Sequence, residues 1–297
     1  MRLLTSVVQS RRDWMLGAAA VAVNASATTP RRIVSIGGAI TETLYALGAQ
    51  TELVGVDTTS LYPAAARSLP SVGYARQLSA EGVLSLQPSL VVAAEEAGPP
   101  AVLRSLEAAR VPLVVLDGQH RFEGVVERTT RLAALCGREA AGATLTQSLR
   151  EQWQAARERV ARHVKAAGGA PPRVVFILSH AGTQLRVAGR ETAADAMISF
   201  GGGVNVFADG FAGYKPLTPE APVAAAPEVI VTTEQGLEAV GGIDGLLKSP
   251  GLSQTPAGRA RRVVALDALL LLGFGPRLPQ ATLALTDALF AAPARKS

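Results

Sequence analysis

The chain has 297 residues, 48% apolar and 18% charged, which excludes a disordered polypeptide and leaves room for two lobes of ordinary domain size. Its formal charge is only +5, and no Lys/Arg run carries interleaved aromatics, so nucleic acid is not an implied partner. The single cysteine, Cys136, excludes a disulfide framework, and its apolar setting (LAALCGR) marks a buried bystander.

The first residues read as a signal rather than as fold. Arg2, Arg11 and Arg12 precede an apolar run from Trp14 to Val23, and Ala25-Ser26-Ala27 offers a cleavage site. The run is too short to span a bilayer. Residues 1–27 are therefore expected to be a signal peptide. Ser10–Leu16 (SRRDWML) also resembles the twin-arginine export motif, although an ordinary secretory signal with a chance Arg pair fits as well. Cleavage there removes three Arg and one Asp, leaving +3. No cysteine stands near the cleavage site, so the expected product is a soluble exported protein without a lipid anchor.

From Arg31 onward, short apolar runs alternate with helical periodicity. Ile33–Ile36, Leu53–Val56, Leu90–Ala94 and Leu113–Leu116 read as strands; ITETLYALGA, with Ile40, Leu44 and Leu47 in phase, reads as a helix closed by Gly48. Such alternation predicts parallel strands buried on both faces. This is a first α/β lobe, residues 30–137. Residues 138–168 then form the longest helical pattern. Leu145, Leu149, Trp153, Ala156, Val160 and Val164 make one apolar stripe, and Gly168-Gly169 stops it. At 1.5 Å per residue it is about 40 Å long, enough for a rigid spine joining two lobes. Residues 169–297 repeat the plan: strands at Val174–Leu178, Val229–Val231 and Arg262–Leu266, a helix TAADAMISFGG, and a closing helix from about Pro279 to Phe290. The fold expected is two Rossmann-like α/β lobes on one long helix, with a ligand cleft between them at the C-terminal ends of the strands.

An internal repeat supports two related lobes. Gly73–Ala93 (GYARQLSAEGVLSLQPSLVVA) returns as Gly213–Thr232 (GYKPLTPEAPVAAAPEVIVT). Leu78 meets Leu217, Ser79 meets Thr218, Glu81 meets Glu220, Pro88 meets Pro227 and Val92 meets Val231. One residue out of step, Gly73-Tyr74 meets Gly213-Tyr214, each tyrosine with a cation close behind (Arg76, Lys215).

Nothing assembles into a catalytic set. There is no G-x-S-x-G elbow, no P-loop and no G-x-G-x-x-G after a strand, and Gly201-Gly202-Gly203 follows a helix as a cap. His120, His163 and His180 are widely spaced, without zinc-ligand spacing. His163 reads as a solvated residue of the spine, and His120 as a surface residue near the cleft. Enzyme activity is not expected.

For a ligand site the residues offer Tyr74 in a loop, ahead of a helix capped by Ser79. Were residues 74–76 extended, Tyr74 and Arg76 would project to one side. A guanidinium beside a phenol favours the phenolate, a hard ligand for ferric iron, though a loop tyrosine stacked on its neighbour fits the same pattern. With IVSIGGAITETLYALGA before it and TAADAMI…GGGVN…GYKPLTPEA after it, the first repeat resembles the haem-binding periplasmic proteins of bacterial ABC importers. They sit within a wider class of cobalamin- and siderophore-binding proteins. The likeness runs over essentially the whole mature chain. It implies that Tyr74 is the axial haem-iron ligand and that Arg76 supports it or a propionate. By the same resemblance His180, after a lobe-two strand, is a candidate second iron ligand, and one or two haems are bound. Tyr214 and Lys215 are candidate haem contacts in lobe two, and Arg277 in the GFGPR loop a further candidate for a propionate. Glu81 and Glu220 complement helix dipoles in their first turns; the resemblance adds docking to the two subunits of an ABC permease, one glutamate per lobe. The implied role is a monomeric periplasmic carrier that takes haem delivered by an outer-membrane receptor. A corrinoid or ferric siderophore in the same fold is the alternative. The fixed spine predicts modest lobe movement on binding.

Overall fold

The computed structural model describes residues 31–179 and 184–291. The signal-peptide segment and His180 therefore lie outside the described residues. In the first lobe the strands are β1 (Ile33–Ile36), β2 (Leu53–Val56), β3 (Leu90–Ala94) and β4 (Leu113–Leu116), all parallel, in the order β2-β1-β3-β4. Between and after them run α1 (Gly38–Ala46), α2 (Ala80–Leu84), α3 (Pro100–Ala108) and α4 (Phe122–Cys136). The central strands are apolar but for Ser35, whose hydroxyl bonds that of Thr41 at 2.8 Å, because helices cover both faces; all four residues of β1 are buried. Cys136 is buried with them.

The spine, α5, covers Glu139–Ala166. After it come β5 (Arg173–Leu178), β6 (Arg186–Ala188), α6 (Ala193–Phe200), β7 (Val204–Asn205), β8 (Tyr214–Pro216), α7 (Glu220–Ala225), β9 (Val229–Thr233), α8 (Glu234–Ala239), α9 (Gly242–Leu247), α10 (Pro256–Arg259), β10 (Val263–Leu266), α11 (Ala268–Leu272) and α12 (Leu278–Phe290). Here the second lobe departs from the first. Its sheet runs β10-β9-β5-β6-β8 with β7 on β5, and β6 and β8 are antiparallel insertions. Two or three residues are too few to show a period, so these strands left no sequence signal.

The stripe on α5 meets both lobes. Leu149, Trp153 and Ala156 are buried. The Trp153 ring stacks on Phe122 of α4 (4.9 Å between centroids, 3° between planes) and takes Phe200 of α6 edge-on at 4.9 Å. Arg159 then pairs with Asp287 of α12 at 2.8 Å. His163 is not freely solvated as expected: it lies 3.5 Å from Asp287, beside the Phe290 ring.

The internal repeat divides by burial. Leu78 and Leu217, Pro88 and Pro227, and Val92 and Val231 are all buried, whereas Ser79, Thr218, Glu81 and Glu220 are all exposed. One set packs each lobe and the other presents it. The glycine before each tyrosine has positive φ (+92° at Gly73, +76° at Gly213), which only glycine adopts without strain. Ser79 caps α2 by accepting from the Gly82 N–H at 3.3 Å. Ser79→Ala should lower stability by about 0.5–1 kcal/mol, the low end for an N-cap because this bond is long. Chemical denaturation reads this directly, and a loss above about 2 kcal/mol would show that Ser79 does more than cap.

Candidate functional site

The site is built from loops at the C-terminal ends of the strands, where side chains escape the sheet. Val56, the end of β2, exchanges backbone hydrogen bonds with Pro70 and Val72 at 2.9 Å. That bridge carries the next segment to the same edge and delivers Tyr74 there. Residues 74–77 are a turn closed by the Gln77 N–H donating to the Tyr74 carbonyl at 2.8 Å, not the extended segment the sequence suggested. The Tyr74 side chain is 43% exposed and Arg76 is exposed, with no ion pair among the described residues.

The second copy of the repeat is built differently. Tyr214 lies in β8, opposite Ala188 of β6, with its ring edge-on to Phe176 (6.4 Å). Burial pushes its phenol above the usual tyrosine range; hydrogen bonds from Thr192 and the Ala194 N–H and the positive charge of Arg76 work the other way. Tyr214 is thus a neutral phenol at neutral pH. Lys215, next on the strand, pairs opposite Val187 and points to the other face, its ammonium 4.9 Å from the Phe211 ring centroid. Tyr214 and Lys215 thus face opposite sides of β8. Glu81 and Glu220 stand exposed in the first turns of α2 and α7.

Several residues at the lobe boundary escaped sequence reasoning. Glu42 of α1, 4% exposed, takes both oxygens to Arg277: Nε at 3.0 Å, Nη2 at 2.8 Å, and the Arg277 backbone N–H at 3.2 Å. The same guanidinium lies over the Tyr62 ring, 3.6 Å from its centroid. Arg277 is thus engaged by lobe one through Nε and Nη2. The available signal was Glu42 itself, an acid between Ile40 and Leu44 on the apolar side of its helix. Nearby, Arg128 of α4, 9% exposed, donates to the Phe274 carbonyl, and its Nε has no partner among the described residues. Burial lowers its pKa, opposed by the charges of Glu96, Asp117 and Glu42. His120 does reach this boundary, 5.2 Å from the Phe274 ring, and burial lowers its pKa below the usual histidine value.

In lobe two a cavity of about 310 Å³ opens beside Leu178, Ser179, Thr233, Gly236, Ala268 and Leu272, at the ends of β5 and β9. None of the described candidate residues lines it, and it is near the lower limit for a small-molecule site. No group of three His, Cys, Asp or Glu among the described residues is placed to hold a metal ion. No described helix is long and apolar enough to cross a membrane.

Two α/β lobes on one long helix, with side chains of both lobes in contact at their boundary, are the architecture of a two-lobed binding protein. The chain belongs to the periplasmic binding protein family, whose model matches residues 33–270. Among solved structures it is similar to the apo periplasmic heme-binding protein RhuT of Roseiflexus sp. RS-1 (45% identity, TM-score 0.84, covering 88% of this chain and 98% of that one). It is also similar to the periplasmic heme-binding protein BhuT in complex with two hemes (52% identity, TM-score 0.82, 87% and 99%). Among curated proteins it is 31% identical to a cobalamin-binding protein of Halobacterium salinarum over 68% of this chain, and there the chain spans only 54% of the relative's length. A vitamin B12-binding protein of Yersinia pestis is 28% identical over 73% of this chain and 75% of its own.

Proposed function

We propose that this protein captures ferric haem between its lobes in the periplasm and delivers it to an ABC importer of the inner membrane. The observation that carries this reading is the Tyr74–Arg76 turn. It presents an exposed phenol and a guanidinium without an ion pair among the described residues, in a chain 52% identical to a haem-binding protein solved with two haems. Tyr74 ligates the iron as phenolate and Arg76 supports it. Tyr214, held neutral, contacts the ligand without ligating iron. His180, one residue beyond Ser179, is the second iron anchor if two haems bind. The test is an absorption titration of the mature protein with haemin, beside cyanocobalamin and a ferric siderophore. A saturable Soret shift with tyrosinate–ferric haem bands supports haem; stoichiometry near two brings in His180. The cobalamin-binding relatives favour a corrinoid as the second reading, and binding of cyanocobalamin alone would establish it.

Glu81 and Glu220 dock the loaded protein on the permease, one lobe per subunit, because a pair of like surfaces suits a two-fold partner. Glu81→Ala with Glu220→Ala should leave haemin affinity unchanged and lower haem-stimulated ATPase of the reconstituted importer by about tenfold or more, as loss of charged interface anchors does. Unchanged stimulation would remove these residues from the interface.

A further inference from the structure

We infer that Tyr62 is a second ligand-contacting aromatic of the cleft, a stacking wall held in place by the opposite lobe. The inference rests on the haem reading and adds to it a residue outside the repeat. Among the described residues the exposed large hydrophobics include just two aromatics, Tyr62 (44%) and Tyr74 (43%). Both stand on neighbouring loops beyond the C-terminal end of β2, joined by the Thr58 N–H donating to the Gly73 carbonyl at 3.0 Å. Exposed aromatic surface is thus concentrated beside the proposed iron ligand. Flat aromatic faces left in water at a binding cleft are suited to a planar conjugated ligand, as base-stacking platforms are.

The loop leading to Tyr62 is rigid. Buried Asp57 accepts from the Gly37 N–H (2.8 Å), the Thr59 N–H (3.0 Å), and the Thr59 (2.6 Å) and Ser60 (2.8 Å) hydroxyls. Beyond it, Arg277 from lobe two covers one face of the Tyr62 ring, and Glu42 fixes Arg277 in turn. A ring fixed on one face and open on the other loses little freedom when a ligand stacks on it, which favours affinity. The contact between this ring and Arg277 bridges the two lobes, so the ring's position follows their spacing.

The experiment is a haemin titration of the mature protein with Tyr62→Ala and Tyr62→Phe, with thermal melting as a check on folding. Tyr62→Ala should raise Kd about 5–150-fold, the range for loss of one stacked aromatic, while the tyrosinate bands of Tyr74 persist. Tyr62→Phe, which keeps the ring, should bind within about twofold of the parent. Parental affinity in folded Tyr62→Ala would overturn the inference and leave the haem reading standing. A Tyr62→Phe variant as weak as Tyr62→Ala would also overturn it, since the hydroxyl and not the stacking face would then matter. Absence of any Soret change in the parent would overturn both. If Tyr62→Ala fails to fold, Arg277→Lys reads the same device: it keeps the charge near Glu42 but gives up the planar stack. It should weaken haemin binding by a smaller factor, and parental affinity there would count against the held platform.

Discussion

Tyr74→Phe should abolish the tyrosinate–ferric haem bands and raise the Kd for haemin by about 100-fold or more. Losing an outer-shell partner of a metal ligand already costs about 10–100-fold, and the phenolate oxygen is the ligand itself. The same reasoning sets Arg76→Ala at about 10–100-fold with the bands retained but shifted, because the guanidinium acts on the phenolate and not on iron. The site makes this a clean comparison. Tyr74 is 43% exposed on a turn closed by backbone hydrogen bonding, so deleting its hydroxyl leaves no buried partner unsatisfied and should not move the melting temperature. Tyr214→Phe is the contrasting variant. Its ring packs half-buried against Phe176 and burial raises its pKa, so its loss should act on stability and leave the iron spectrum intact. Parental spectra and affinity in folded Tyr74→Phe would remove this residue from the iron and, with it, the observation on which the haem reading rests.

Arg277→Leu should lower the stability of the protein by about 3 kcal/mol. Removing one partner of a buried pair leaves an uncompensated charge, worth about 3–5 kcal/mol. The lower end applies because the Arg277 side chain is 19% exposed while that of Glu42 is 5% exposed. Glu42 would keep only the backbone N–H of residue 277 from its three donors. For a chain of this size the melting temperature should fall by about 6–12 °C. Glu42→Gln should lose less, since the amide fills the same space and its oxygen still accepts. The double variant should lose less than the two single losses added, the signature of a direct pair. A melt of Arg277→Leu within about 2 °C of the parent would show that the pair does not hold the lobes. Because Gly275 stands 3.2 Å, measured from a Cβ built on it, from the Glu42 carboxyl, bulk at that position should disturb the same contact.

The strands of the first lobe were legible to the residue because runs of four or five residues, apolar but for Ser35, have few other uses between turn signals. The spine was legible because 28 residues hold a helical stripe long enough to exceed chance. The repeat announced two lobes, and the structure sorts its matched positions into buried packing residues and exposed ones. Tyr74 was found by what surrounds it in the chain, a glycine before and an arginine two residues after. What the sequence could not carry was anything that depends on residues distant along the chain. The antiparallel β6 and β8 exist because each has the other as a partner, and three residues have no preference of their own. Tyr74 and Tyr214 look alike in the chain, yet one is exposed on a turn and the other is half-buried in a strand, a difference set by what packs around each. Glu42 and Arg277 lie 235 positions apart, and only the folded chain makes a pair of them and lays the guanidinium on Tyr62. Local pattern therefore determined the elements, the lobes and the exposed tyrosine. The tertiary structure decided which charges are buried, that burial raises the pKa of Tyr214, and how the lobes are held, since burial and long-range contact are properties of the assembled surface and not of any segment.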